Sequence, residues 1–244
     1  MPSTDAGERI YAVGDVHGRF DLLQRMIEKI GDHSNALPPA KSLHILFLGD
    51  LIDRGPQSAQ ILHFLFELQR QSNRIIVLQG NHEEVLLQSL DGNVEVLNAW
   101  LRFGGLETLR SFGLSAPAEG EDLRSYLRNV RATIPSQWVE WLRRLPLTAR
   151  SGDYFFCHAG IRPGVGLRRQ DREDLLWIRE EFLSDRRDHG AVIVHGHSIE
   201  AAVQFRDNRI GIDTGAYRTG VLTALYLEGE KQELLSVAVD AGCF

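Results

Sequence analysis

Cysteine is nearly missing from this chain. Its 244 residues include two, Cys157 and Cys243, and no CxxC spacing. A disulfide framework or a structural zinc site needs more thiols, so neither is expected, and the expected location is cytoplasmic. Lysine is almost as scarce, with three against 24 arginines, and the net charge is −6. That balance speaks against general attraction to nucleic acid or a membrane surface. An anionic substrate would need a local positive site. No apolar run approaches the length of a membrane span, and the polar start, Met1 to Glu8, holds no hydrophobic signal core. Repeats, low-complexity tracts and linkers are also missing. What remains is an ordinary globular composition, 43% apolar and 25% charged, read as one domain over 1–244.

The densest chemistry lies in Gly49-Asp50-Leu51-Ile52-Asp53-Arg54-Gly55. The apolar run His44–Leu48 leads into it and a helical pattern follows Pro56. It therefore reads as the turn leaving the C-terminal end of a buried strand, where ligands bind in α/β proteins. Two carboxylates that close together are costly to bury without a positive partner. A divalent metal would meet that need, and Arg54 suits a phosphate.

The same logic recurs along the chain. A short strand over 8–13 ends at Gly14-Asp15-Val16-His17-Gly18, followed by helical spacing from Phe20 to Ile30, with Gly31 read as its stop. A third strand, 74–78, ends at Gly80-Asn81-His82-Glu83. Strand, polar turn and helix thus occur three times, which predicts βαβαβ and a largely parallel sheet. From about 84 to 145 the pattern is helical, punctuated by Gly92, Gly104-Gly105, Gly113 and Pro117. This reads as a helical insertion whose Trp100, Trp138 and Trp141 belong to the core. Its eight arginines against six acids over 92–150 read as a solvated face. After 147 come short strands: 154–157 ending at His158, 191–194 ending at His195-Gly196-His197, and hairpins over 203–212 and 221–239. The expected fold is α/β (α+β): a parallel half and a mainly antiparallel half, two sheets packed together with helices outside.

Five strand ends therefore carry Asp15/His17, Asp50/Asp53/Arg54, Asn81/His82, His158 and His197. Oxygen and imidazole donors without thiolate suit Mn²⁺, Fe or Zn²⁺. Six ligating side chains are too many for one metal with an open position and about right for two. Asp50, from the middle of the three parallel strands, is the natural bridge.

In that order, GDVHG (14–18), GDLIDRG (49–55), GNHE (80–83), His158 and Gly196-His197 resemble the PPP-type metallophosphoesterases, over about residues 9–83 and 154–225. The resemblance implies a calcineurin-like αββα sandwich of two mixed sheets. It implies one metal on Asp15, His17 and Asp50 and a second on Asp50, Asn81, His158 and His197, with Mn²⁺ the first expectation. It also implies His82 as acid toward the leaving oxygen, Asp53 as its partner, and Arg54 and Arg179 as phosphate-binding residues. The expected activity is that of a protein serine/threonine phosphatase acting on a phosphoprotein or phosphopeptide. The alternative is hydrolysis of dinucleoside polyphosphates or nucleotides. Asp53 and Glu83 depart from the pattern of the diadenosine tetraphosphate hydrolases and favour the first without excluding nucleotides. A metal-binding module with a dead site would lack His82, Asp53 or an arginine, and none is missing.

Other residues are set aside. His33, His44, His63 and His189 read as surface or strand histidines and Cys157 as a buried thiol, while His195, two before His197, could share its face, although the resemblance takes the ligand from Gly196-His197. Asp213 is expected to support the site without ligating.

Overall fold

The computed structural model describes residues 1–239; Cys243 and the end of the 1–244 domain lie outside the described residues. The three-fold strand–turn–helix pattern folds as expected: β1 (Glu8–Val13), α1 (Phe20–Asn35), β2 (Ser42–Phe47), α2 (Ser58–Gln71) and β3 (Ile75–Val77). β1 pairs with β2 and β2 with β3, all parallel. Helix α1 does not stop at Gly31 but runs four residues further. A glycine inside a helix costs only about 1 kcal/mol, and a Cβ at Gly31 would meet open space beyond its own helix.

The next helix, α3 (Asn81–Leu90), begins inside the third motif rather than after it. Gly80 is extended, and the Glu83 side chain turns back to accept the Gly80 N–H at 2.8 Å, which caps the first turn. The insertion continues through α4 (Val94–Trp100), a wide π-type turn at Leu101–Gly105, α5 (Leu106–Ser111), α6 (Leu123–Thr133) and α7 (Ser136–Arg143). Leu97, Trp100, Leu109, Tyr126, Leu127, Val130, Trp138 and Leu142 turn inward against α2, α3 and the first sheet. Each such side chain contributes roughly 1.5–3 kcal/mol when fully buried. Trp100 and Trp138 are thus core residues as expected, while Trp141 packs against the core half-buried.

The second half differs from expectation in its pairing. β4 (Thr148–Ser151), β5 (Tyr154–Cys157), β6 (Val192–His195), β7 (Gln204–Phe205) and β8 (Arg209–Gly211) form a sheet ordered β4-β5-β6-β8-β7. β5, β6 and β8 are parallel, and only the outer strands run antiparallel. The last hairpin, β9 (Val221–Glu228) and β10 (Lys231–Ala238), crosses to the first sheet, giving β10-β9-β1-β2-β3. Residues 222–227 are buried on both faces, so β9 needs strands on both sides and cover above and below. The place beside β1 provides this. β10, exposed at most positions, is the edge.

Alternation along the strands builds the layers. Ile10, Ala12, Leu46 and Leu48 face Tyr154, Phe156, Val194 and Ile212 between the sheets. Tyr11, Val13 and Phe47 face α1 and α2. Phe155, Cys157 and Ile193 face the short helices α8 (Arg172–Trp177) and α9 (Glu180–Leu183). The result is two mixed sheets packed face to face between helices, the αββα sandwich. Among the described residues no helix is long and apolar enough to cross a membrane.

Candidate active site

The polar turns converge where β1, β2, β3, β5 and β6 end. Turn one and turn two touch at Gly18 and Gly55: a Cβ on Gly55 would sit 2.2 Å from the His17 carbonyl oxygen. Gly196 lies equally close to Asp15, with 2.0 Å from a built Cβ to Oδ1. Every non-glycine residue with positive φ among the described residues is here: His17 (44°), Asp50 (48°), Asp53 (72°), Arg54 (68°) and His197 (63°). Such backbone costs on the order of 1–3 kcal/mol per residue and persists only where surrounding contacts fix it.

Glu83 supplies much of that fixing. Fully buried, it accepts backbone N–H groups from Asp50 (3.0 Å), Leu51 (2.8 Å), Ile52 (3.3 Å) and Gly80 (2.8 Å), tying turn two to turn three. Burial and the nearby Asp50 charge push its carboxyl up to about 7, against the pull of these donors.

The donor atoms face one another. His158 Nδ1 lies 2.9 Å from the Leu48 carbonyl, so its proton is there and Nε2 presents a lone pair. That Nε2 is 2.8 Å from Asn81 Oδ1, 3.2 Å from His197 Nδ1 and 3.4 Å from Asp50 Oδ1. His17 repeats the pattern, with Nδ1 2.8 Å from the Ile52 carbonyl and Nε2 3.4 Å from Asp50 Oδ2. Lone pairs of nitrogen and oxygen crowded together in a buried site are stable only around a cation or a shared proton. Two metal-competent groups result, His17/Asp50/His82 and Asp50/His158/His197, with Asp50 common to both. Burial lowers His158 and takes His17 down to about 3 and His197 to about 2, which keeps the imidazoles neutral, the ligating form. Burial would raise Asp50, but His158, His82, His17 and His197 together hold it far below the carboxylate range. The donor set fits a hard-to-borderline divalent metal.

Asp15 stands outside both groups. Its Oδ2 accepts the His197 N–H at 3.0 Å and its buried Oδ1 has no partner. Burial, then Asp213, then Asp50 raise its pKa well above the usual range. Asp213, raised to about 6 by burial, is buried beside it and accepts the Gly215 N–H at 2.8 Å.

His82 and Asp53 meet at 2.6 Å through Nδ1 and Oδ2. Burial alone would lower the imidazole, yet Asp50 and the bond and charge of Asp53 outweigh it, and its pKa is raised. Arg54 donates to His82 Nε2 at 3.1 Å and lies over the Tyr217 ring, 4.8 Å from its centre. Arg179 reaches the His197 carbonyl at 3.4 Å. Arg54, Asn81, His82 and Arg179 line a cleft of about 470 Å³ whose other walls are Val85, Gln88, Val96, Ala99, Trp100, Phe103 and Trp177. A larger cleft, about 520 Å³ around Arg9, Lys41, His44 and Arg74, holds none of these site residues.

The residues set aside stay apart from both metal groups. His195 is buried against Phe182 with Nδ1 3.0 Å from the Gly196 carbonyl, and burial takes it to about 4. Cys157 is buried and its thiol is pushed up by that burial. Sequence reasoning missed Trp100, Thr108, Ser58 and Tyr217. The contacts of Trp100, Thr108 and Tyr217 to Asp53, Arg54 and His17 cross folds of the chain that no local pattern announces, and Ser58 receives the Asp53 N–H from five residues away.

Imidazoles, carboxylates and an amide converging at strand ends between two stacked sheets, with guanidiniums beside them, define a metal-dependent hydrolase site for phosphate compounds. The profile of the calcineurin-like phosphoesterases matches residues 8–218, and the chain belongs to that family. It is 30% identical over 232 residues to the asymmetrical bis(5'-nucleosyl)-tetraphosphatase PrpE of Bacillus cereus, covering 87% of this chain and 88% of that one. The protein of that name from Bacillus thuringiensis is 32% identical over the same shares. A crystal structure provisionally identified as a diadenosine tetraphosphatase superposes with a TM-score of 0.66 at 19% identity, covering 98% of this chain and 100% of the other. A protein serine/threonine phosphatase from Saccharomyces cerevisiae gives 0.59 at 18%, covering 100% and 85%. The two structures share its fold.

Proposed function

We propose that this metallophosphoesterase hydrolyses dinucleoside polyphosphates. The observation that carries the substrate class is the cleft beside His82. Its lining includes Phe103, 70% exposed, and Trp177, 41% exposed, together with Arg54 and Arg179. Aromatic faces next to paired guanidiniums suit a base joined to a phosphate chain, and stacking of one base contributes about 1–3 kcal/mol. The names of the full-length Bacillus relatives support the same reading.

In this reading Asp15, His17, Asp50, Asn81, His158 and His197 hold two divalent ions. When bound, these would supply activation of water and neutralisation of phosphoryl charge. Arg54 and Arg179 seat the phosphoryl oxygens, Arg54 exchanging its contact with His82 for the substrate. Freed of Arg54, Nε2 of His82 faces the cleft and protonates the leaving oxygen, while Asp53 holds Nδ1 and stabilises the cationic ring. Tyr217 fixes the guanidinium plane of Arg54 from behind.

A second reading, a phosphoserine or phosphothreonine phosphatase, is favoured by the intact His82–Asp53 pair. An alkoxide leaving group needs protonation more than a phosphate does. The test is a panel with Mn²⁺: diadenosine tetraphosphate, phosphoserine and phosphothreonine peptides, and p-nitrophenyl phosphate. The dinucleotide is expected to give the highest kcat/KM, and Phe103→Ala or Trp177→Ala to raise its KM about 5–100-fold, as the loss of one stacking contact predicts. A preference for phosphopeptides, unchanged in those variants, selects the second reading.

A further inference from the structure

We infer that Thr108 and Trp100, from the helical insertion, are positioning residues for the Asp53–His82 pair, so the insertion sets the orientation of the leaving-group acid. This rests on the acid role of His82 proposed above. Asp53 is fully buried, and both oxygens of its carboxylate are occupied. Oδ2 is shared between His82 Nδ1 at 2.6 Å and Trp100 Nε1 at 2.7 Å, while Oδ1 accepts the Thr108 hydroxyl at 2.6 Å. The backbone N–H of Asp53 points at Thr108 Oγ1 (2.9 Å) and Ser58 Oγ (3.1 Å), and that of Arg54 at the Gly104 carbonyl (3.1 Å). Residues 100–108 therefore hold both members of a left-handed pair, φ 72° and 68°, that costs energy to maintain.

The shape of the insertion makes this possible. Trp100 and Thr108 are eight residues apart, which on a straight helix is about 12 Å along the axis. Two groups so separated cannot both reach one carboxylate. Phe103 (φ −103°, ψ 20°) and Gly104 (φ 109°) break the helix between α4 and α5, so the two do not continue as one straight rod. Gly105 packs on the Trp100 ring, where a Cβ would come within 2.4 Å. The bend thus brings an indole N–H, a hydroxyl and a carbonyl to bear on residues 53 and 54 at once. Removing either donor leaves Asp53 free to turn, and with it the ring of His82.

The test measures kcat and KM of the Mn²⁺-loaded enzyme on aryl phosphates whose leaving phenols run from good to poor. Thr108→Val keeps the shape and removes the hydroxyl; Trp100→Phe keeps a ring and removes the N–H. Each is expected to lower kcat by roughly 10–100-fold on phenyl phosphate, the scale of lost orienting partners. The loss on p-nitrophenyl phosphate is expected to be several-fold smaller, with KM little changed. Thr108→Ser, which restores the hydroxyl, should recover the phenyl phosphate rate. His82→Ala, run alongside, should show the same steepened dependence, and adding Thr108→Val to it should cost nothing further. A uniform loss across the series, or none, in both Thr108→Val and Trp100→Phe while His82→Ala steepens the dependence, overturns the inference and leaves the acid standing. No steepening in His82→Ala overturns the acid assignment and the inference with it.

Discussion

Changing Glu83 to Gln alters one atom, yet it is expected to be among the most damaging substitutions available outside the metal ligands. The carboxylate accepts from Asp50 and Gly80 through Oε2 and from Leu51 and Ile52 through Oε1. An amide has a single acceptor oxygen, so two of these buried N–H groups lose their partner and face an NH₂ instead. Each unsatisfied donor costs about 1–3 kcal/mol, giving about 2–6 kcal/mol in all. Against a total stability of about 5–15 kcal/mol this is a large share. For a chain of this size, about 2–4 °C per kcal/mol translates it into a fall in Tm of roughly 4–24 °C. The donors set the left-handed turn at Asp50, so Mn²⁺ affinity should fall as well. Thermal unfolding followed by circular dichroism, and metal titration of the same preparation, read both effects. A Tm within about 2 °C of the parent with unchanged metal binding would refute the account of Glu83 as the tie between turns two and three.

Exhaustive chelation is expected to abolish turnover, with Mn²⁺ restoring more activity than Mg²⁺, which suits imidazole poorly; full activity in verified metal-free protein would exclude a metal-dependent site. Asp50→Asn should lose bound metal along with activity, measured by elemental analysis. Asn tolerates the left-handed backbone at φ 48°, so the loss would be one of charge rather than shape. His82 must be protonated to act, and its pKa is raised by Asp50 and Asp53 despite burial. The alkaline limb of kcat should therefore lie above the ordinary imidazole range. Asp53→Asn removes one of the two charges, lowers the pKa and moves that limb to lower pH while metal content stays intact. An unchanged pH–kcat profile would break the link between Asp53 and His82.

The turns were legible because a polar cluster at a strand end leaves a local trace: an apolar run, a glycine, then a polar side chain that the interior would otherwise reject. That trace marked Asp15, His17, Asp50, Asp53, Arg54, Asn81, His82, His158 and His197 together, while their division into ligands, acid and phosphate-binding residues came from the resemblance to a known family. The helical insertion was legible from its period but not its purpose. Trp100 reads as a core residue and is one, 1% exposed, yet its indole N–H faces Asp53. Periodicity reports which face of a helix is buried, and it cannot report which buried polar atom waits there. The second sheet was misjudged for a related reason, since strand direction depends on which neighbour a strand finds, and β9 finds β1 from the far end of the chain. The amino-acid sequence by itself determined the elements, the two apolar faces of the strands and the chemistry at their ends, because these follow from residue type and short-range spacing. Only the tertiary structure decided the strand pairing, the lone pairs gathered around Asp50 and the grip of the insertion on Asp53. Those are contacts between residues tens to hundreds of positions apart, made specific by packing and the cost of leaving a buried polar group alone.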